Sequence, residues 1–375
     1  VILPGAWIGL LGGGQLGRMF TVAARSMGYR VAVLDPDPLS PAGHIADRHL
    51  PHPYTDHAAL GELGRISGVI TTEFENVPAK ALEYLAAHCP VHPGPEALAI
   101  AQDRVREKTF ARGHGIETAR FHAIHGQSDV AAACAEIDGP AILKTSRLGY
   151  DGKGQRPVTG PDEARQAFVE FGGVACILEE RLELERELSV VLARSASGEV
   201  VSFPPGENRH VAGILDTTMV PAMVSPALAD RARQAAEALA RALDYVGVLG
   251  VELFVVAGDR LVFNEMAPRP HNSAHYTMDA CVTDQFEQQV RAVCGLPLGD
   301  ARLLSPVCMV NLLGDLWQHG PPRWDLALAN RRAKLHLYGK HEARAGRKMG
   351  HLNVLSDTPE SARAEALAAR QRLLG

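Results

Sequence analysis

No apolar run in the chain approaches the ~18 residues that a membrane span requires, so no membrane partner is expected. Basic blocks are missing too. The few clusters, Arg331-Arg332 and Arg344 to Lys348, are short, which argues against nucleic acid as a partner. There is no C-x-x-C pair. The six cysteines (Cys89, Cys134, Cys176, Cys281, Cys294, Cys308) are widely spaced, so neither a zinc site nor a disulfide framework is indicated. Free thiols in a reducing cytoplasm are the simplest expectation. The opening Val1-Ile2-Leu3-Pro4 has no basic segment leading into a long apolar core, so no signal peptide is expected. Internal repeats and low-complexity tracts are absent. What is there is 375 residues, 46% hydrophobic and 22% charged, with a net charge of −5. That is ordinary globular composition, with enough chain for two or three domains.

The first hundred residues alternate strand and helix. Trp7–Leu11 is an apolar run, followed by a glycine-rich turn and a helix to Met27. Strands are expected at Arg30–Asp35 and Gly68–Thr72, and a short helix at Pro78–His88. This βαβ order predicts a parallel sheet. Pro90, Pro93, Gly94 and Pro95 punctuate its end, and one helix over Ala97–Gly113 leads onward. The second region mixes strands (Ala141–Lys144, Val174–Glu180, Glu187–Arg194, Glu199–Pro204) with helices at Asp162–Phe171 and Pro226–Leu243. Hairpin-like turns such as Ser195–Gly198 predict an antiparallel sheet there, an α+β pattern. After Leu296-Pro297 come strands Val307–Leu313, Lys334–Tyr338 and His351–Leu355, then a closing helix from Pro359.

Chemistry concentrates in a hairpin read as Gly247–Ala257, Gly258-Asp259 and Arg260–Met266. Gly-Asp between two β-rich runs signals a two-residue turn. Residues equidistant from that turn face each other, which sets Glu252 opposite Glu265. Opposed carboxylates repel, and a carboxylate inside an apolar strand needs a partner. With oxygen ligands only, a Mg²⁺ ion bridging nucleotide phosphates suits the pair. Arg269-Pro270-His271-Asn272 follows on a stiff loop, with His271 suited either to a catalytic-base role or to an orienting hydrogen bond.

Gly12-Gly13-Gly14-Gln15-Leu16-Gly17 follows a strand and opens a helix, with Asp35 at the end of the next strand. This is the dinucleotide fingerprint. The physics behind it is broader: backbone N–H groups of the turn approach an anion at a helix N-terminus, and a phosphate monoester satisfies them as well as a pyrophosphate. Thr71-Thr72-Glu73-Phe74-Glu75-Asn76 ends a parallel strand, where ligands of such sheets bind. If the strand continues, Glu73 and Glu75 share a side. Lys144 ends a strand, and its charge calls for an anionic partner. The segment Gly149-Tyr150-Asp151-Gly152-Lys153-Gly154 reads as a flexible charged lid over phosphates. Glu179-Glu180 and Glu187 stand at strand ends, where carboxylates take ribose hydroxyls or simply face water. Gly346-Arg347-Lys348-Met349-Gly350-His351, with Lys340, supplies cations that suit a phosphate.

In order, these segments (the glycine turn, T-T-E-F-E-N-V-P, Q-D-R-x-x-x-K at Gln102–Lys108, G-Y-D-G-K-G, E-E then E-L-S-V, Glu252/Glu265, A-P-R-P-H-N-S and G-R-K-M-G-H) resemble the N5-carboxyaminoimidazole ribonucleotide synthetase family of the ATP-grasp superfamily. The resemblance runs from about residue 7 to 355. It implies an ATP-grasp fold, α/β and α+β. Its parts would be an N-terminal Rossmann-like domain (1–96), an ATP-grasp domain (97–300, lid about 115–190) and a small β-rich C-terminal domain (301–375). It implies that ATP, bicarbonate and 5-aminoimidazole ribonucleotide are converted, through carboxyphosphate, to N5-carboxyaminoimidazole ribonucleotide, ADP and phosphate, in a cytoplasmic homodimer of purine biosynthesis using Mg²⁺ and no NAD. By resemblance, Glu252 and Glu265 are the metal ligands. Arg104, Lys108, Lys144, Asp151, Gly152, Lys153, Glu179, Glu180, Glu187 and Asn264 bind ATP. Glu73, Tyr150, Lys153, Arg269, His271 and Lys340 form the carboxyl-transfer pocket. Gly14, Gln15, Leu16, Glu73, Asp151, Arg269, Asn272, Lys340 and Arg347 hold the ribonucleotide. Two departures from the pattern stand out: Ala267 replaces an Asn that binds metal in many relatives, and Lys153 replaces a common Arg.

Three other readings compete. A formate-using glycinamide ribonucleotide transformylase shares the hairpin and an R-P-H loop, but usually has Asp where Asn272 stands. An NAD oxidoreductase fits the glycine turn and Asp35 and leaves Glu252 and Glu265 unexplained. A non-catalytic nucleotide-binding module has no need of Lys144 and the carboxylate pair.

Overall fold

The computed structural model describes residues 1–149 and 152–374. In its first domain, strands β1 (Trp7–Leu11), β2 (Arg30–Leu34), β3 (Arg48–Leu50) and β4 (Val69–Thr72) form a parallel sheet in the order β3-β2-β1-β4. Helices α1 (Gln15–Ser26), α2 (His57–Ile66) and α3 (Ala79–Ala86) alternate with the strands. β1, β2 and β4 are almost wholly buried, as the apolar runs of parallel strands covered on both faces must be. β1 lies between β2 and β4, so the turn after β1 and the segment after β4 emerge side by side. That is the switch point where open α/β sheets bind ligands. β3 is three residues long, too short to show a period, and the sequence reading passed over it together with α2.

The single helix expected over Ala97–Gly113 is two helices, α4 (Pro95–Ala101) and α5 (Arg104–Gly113). Asp103 leaves the helical region and accepts hydrogen bonds from the backbone N–H groups of Val105 and Arg106, so it caps a new helix. Gln102, at the break, reaches back to the Glu75 and Val77 carbonyls at 2.7 and 2.9 Å.

β5 (Phe121–Ile124), β6 (Ala141–Thr145), β7 (Gln155–Val158) and β8 (Cys176–Glu180) form an antiparallel sheet, β5-β8-β6-β7, carrying α6 (Asp129–Ile137) and α7 (Pro161–Glu170). Then follow β9 (Arg186–Arg194), β10 (Val200–Ser202), β11 (Gly206–Val211), β12 (Ile214–Val220), α8 (Pro226–Ala242), β13 (Gly247–Val256), β14 (Arg260–Ala267), α9 (Thr277–Ala280) and α10 (Gln285–Cys294). The β11–β12 hairpin was not foreseen, because Gly-Glu-Asn-Arg-His has no alternation of β-formers. Its turn at Ala212-Gly213 has two left-handed residues, as a tight hairpin requires.

β15 (Val307–Leu313), α11 (Trp324–Ala327), β16 (Ala333–Leu337), β17 (Lys348–Leu355) and α12 (Pro359–Gln371) complete the chain. β15 pairs with β12, so these strands extend the central sheet to β14-β13-β9-β11-β12-β15-β17-β16. α8 buries Leu228, Ala232, Ala236, Leu239 and Ala240 in a core shared with β9 and β13. Among the described residues no helix is long and apolar enough to cross a membrane.

Candidate active site

Glu252 and Glu265 do face each other across β13 and β14, by a route the sequence reading did not foresee. The turn has three residues, not two. Val256 pairs with Arg260, leaving Ala257, Gly258 and Asp259 as the loop, with Gly258 at φ 77° and Asp259 at φ 56°. That choice alone would offset the carboxylates by one residue. A bulge at Asn264 restores the register: Leu253 opposes Phe263, Glu252 opposes Glu265, and Asn264 is the additional residue. The Asn264 amide then lies 3.4 Å from Glu252 Oε2. His271 Nε2 is 3.3 Å from Glu252 Oε1, while His271 Nδ1 is 2.8 Å from Ser273 Oγ. Burial opposes the charge of Glu252, yet His271, His210 and Asn264 outweigh it and hold its pKa near 2. Gly250 gives His271 this position, since a Cβ there would meet the His271 Cβ at 2.8 Å.

α5 and β6 bring three cations to this region, one of them onto the pair itself. Arg104 Nη1 is 2.8 Å from Glu265 Oε2. Lys144 and Lys108 converge on Glu179 at 2.9 and 3.4 Å. Glu179 is buried, which alone would raise its pKa, but the two ammonium groups bring it down to about 2. Glu180, the next residue on β8, points the other way and binds the Arg120 backbone and guanidinium at 2.9 and 2.6 Å. Glu187 pairs with His210 at 2.5 Å. Arg104 and Asn264 therefore touch the carboxylate pair, Lys108 links its strand to Glu179 and Lys144, and Glu180 and Glu187 pair with Arg120 and His210.

The glycine turn already holds anions, and they are the chain's own. Gly14 N and Gly17 N donate to the two oxygens of Glu73 at 2.7 and 2.9 Å, and Gly13 N donates to Asp35 Oδ2 at 2.7 Å. The cradle expected for a phosphate is thus filled by Glu73. β4 ends at Thr72, so the strand alternation does not extend to Glu73 and Glu75. Glu73 turns to the glycines, and Glu75 pairs with Arg269 at 2.6 Å. Burial raises the Glu73 pKa against the pull of its backbone donors. A Cβ on Gly14 would stand 2.5 Å from Glu73 Oε1. Gly14→Ala is therefore expected to displace that carboxylate and lower kcat about a hundredfold, with ADP affinity unchanged by calorimetry. Unaltered turnover would remove the turn from the catalytic geometry.

Lys340 Nζ meets Gln15 Oε1 at 2.5 Å and the Lys348 carbonyl at 2.7 Å, which joins the last strands to the first domain. Arg347 donates to the Glu342 carbonyl at 2.8 Å. Leu16 is buried in the first-domain core. Asn272 is turned away toward β15, in a reciprocal amide pair with Asn311 at 3.1 and 2.7 Å. Lys153 is exposed, and Gly152 and Gly154 take left-handed φ of 76° and 69°. Tyr150 and Asp151 lie outside the described residues.

Two buried residues escaped the sequence reading. Gln285 brackets the His271 backbone, accepting from its N–H at 2.8 Å and donating to its carbonyl at 2.9 Å; nothing local in the sequence signals this. Glu107 accepts from Met266 N at 2.6 Å. Its place between Arg104 and Lys108 on one helix was the available hint. Among the described residues no three His, Cys, Asp or Glu side chains gather to hold an ion. Two opposed carboxylates fit Mg²⁺, which takes its remaining ligands from phosphate and water.

Known families and proteins match this chain over most of its length. A family model for the ribonucleotide synthetase preATP-grasp domain matches residues 6–102, one for the ATP-grasp domain residues 109–286, and one for the phosphoribosylaminoimidazole carboxylase C-terminal domain residues 307–365. The N5-carboxyaminoimidazole ribonucleotide synthase of Brucella melitensis is 49% identical over 351 residues, spanning 93% of this chain and 96% of that protein. The crystal structure of the synthetase from Thermus thermophilus superimposes with a TM-score of 0.91 at 41% identity, covering 98% of both chains. The synthase from Aspergillus clavatus, in complex with ADP and 5-aminoimidazole ribonucleotide, gives 0.90 at 30% identity over 98% of this chain and 99% of that one.

Proposed function

Because the chain belongs to the N5-carboxyaminoimidazole ribonucleotide synthetase family of ATP-grasp enzymes, we propose that it activates bicarbonate with MgATP and delivers the carboxyl group through its carboxylate-pair site. The activity is the ATP-dependent carboxylation of 5-aminoimidazole ribonucleotide in purine biosynthesis, and the enzyme is a carbon–nitrogen ligase. One observation carries the assignment of the site. Arg269, just beyond the Glu265 strand, pairs with Glu75, beside Glu73 at the switch point of the first domain. The nucleotide-metal end and the ribonucleotide end thereby share one floor.

Bicarbonate is a poor nucleophile, and the triphosphate it must approach is highly anionic. Arg104, Lys108 and Lys144 lower that repulsion with fixed positive charge. Glu252 and Glu265 would hold Mg²⁺, which would supply further neutralisation of the phosphate oxygens. Carboxyphosphate hydrolyses in water, so the loop around Gly152–Gly154 serves as a closing lid. Arg269, held by Glu75, faces the carboxyl group. Glu73, seated in the glycine turn, takes up the proton that the amine gives up as it becomes a carbamate. His271 orients Glu252. Gln15, Lys340 and Arg347 hold the ribonucleotide. The same reading makes the enzyme a cytoplasmic homodimer, with the first domain, where Val22 of α1 is 51% exposed, at the interface.

Arg347 binds a phosphate that does not react. Arg347→Ala is therefore expected to raise the ribonucleotide KM about tenfold, leaving kcat within about twofold. An unchanged KM would take Arg347 out of the site. Isotope feeding tests the one-carbon donor. Labelled bicarbonate is expected in an acid-labile product, and labelled formate in none. Formate incorporation with glycinamide ribonucleotide would favour the transformylase reading.

A further inference from the structure

We propose that Glu107 is a positioning residue that fixes Glu265 by gripping its strand from the open edge. This rests on the reading of Glu252 and Glu265 as the metal pair. β14 is the edge strand of the central sheet, so its outer N–H and C=O groups have no strand partner. Phe263 N is satisfied by the Glu117 carbonyl at 2.7 Å, where Thr118 bridges to Phe263. Beyond it come the bulged Asn264, then Glu265 and Met266. Here α5 substitutes for a strand. Lys108 Nζ donates to the Asn264 carbonyl at 2.9 Å, and Glu107 Oε1 accepts from Met266 N at 2.6 Å.

Two successive residues of one helix thus hold the main chain immediately before and after Glu265. Arg104, one turn earlier, holds its side chain at 2.8 Å. Both main-chain contacts are sealed: Glu107 is 2% exposed and Lys108 is 1% exposed. The grip matters because the opposition of the carboxylates depends on the bulge. Edge strands slip readily, and a slip of one residue moves every side chain to the opposite face. Released from α5, β14 would be free to shed the bulge and follow the register of its three-residue turn, which sets Glu252 opposite Asn264.

The test compares Glu107→Gln, which keeps an oxygen at the accepting position, with Glu107→Leu, which removes it. Ribonucleotide-dependent ATP turnover is measured against Mg²⁺ concentration, and Mn²⁺ binding to the ADP-loaded protein is followed by electron paramagnetic resonance. Glu107→Leu is expected to weaken Mn²⁺ binding and raise the Mg²⁺ requirement about 10–100-fold, with metal-free ADP affinity little changed. Glu107→Gln is expected to stay within about threefold of the parent on all counts. Should Glu107→Leu fail to fold, Glu107→Asp, whose carboxylate falls one methylene short, is expected to show the same shift in smaller measure. A folded Leu or Asp variant with unchanged metal dependence would overturn the proposal. So would a Gln variant as impaired as Leu, since charge rather than the accepted hydrogen bond would then matter. Failure of the underlying metal reading shows separately, as Mg²⁺-dependent turnover surviving in Glu265→Ala.

Discussion

Glu265→Ala is expected to lower ATP turnover at least about a thousandfold while leaving the melting temperature within about 3 °C of the parent. The two effects separate because of where the side chain sits. It is 39% exposed, so its loss opens no buried cavity. The cost falls on the function. Glu252 would be left as the only carboxylate of the cross-strand pair. Arg104 would lose its partner and lie free to follow the phosphates, in a geometry set by the substrate rather than by the protein. Steady-state phosphate release together with thermal melting checks both halves. Near-normal turnover would refute the assignment of the pair.

The largest effect on stability is expected at Glu179. Glu179→Ala leaves Lys108 and Lys144 facing each other in a buried site without their shared counter-ion, a situation that costs about 3–5 kcal/mol. The melting temperature should fall on the order of 10 °C. The pH dependence has a definite sign. The glutamate value of 4.5 is depressed to about 2 in the folded protein. Its stabilising contribution is therefore complete above the ordinary carboxylate range and is lost as the pH falls from 4.5 toward 2. Melting curves across that window should show a loss in the parent that is absent from Glu179→Gln. Identical acid profiles for the two proteins would mean that the lysines do not depend on this carboxylate.

The backbone was legible in the sequence wherever one local rule dominated. Apolar runs gave β1, β2 and β4 of the first domain, and Pro at the first position of α8 marked its start. Where two local rules competed, the reading missed. A long amphipathic stretch hid the Asp103 cap that divides α4 from α5, and Gly258-Asp259 concealed a longer turn. The Glu252–Glu265 opposition survived because the bulge at Asn264 compensates the turn, a coincidence of two offsets that no local pattern displays. Contacts distant in sequence were beyond reach. Glu73 meets the glycine turn across 59 residues of sequence, and Glu75 meets Arg269 across 194. Nothing in the turn itself distinguishes a waiting phosphate from a carboxylate of the same chain. The amide pair of Asn272 with Asn311 is similar, joining a loop to a strand that the sequence reading assigned to another domain.

On the proposed function, the nucleotide-metal end and the ribonucleotide end act as one site. The most direct measurement is phosphate release from MgATP and bicarbonate, with and without 5-aminoimidazole ribonucleotide. Release that depends on the ribonucleotide, with one phosphate formed for each labelled carbon transferred from bicarbonate, is the predicted result. Release of the same rate without the ribonucleotide, or no release when it is present, would contradict it.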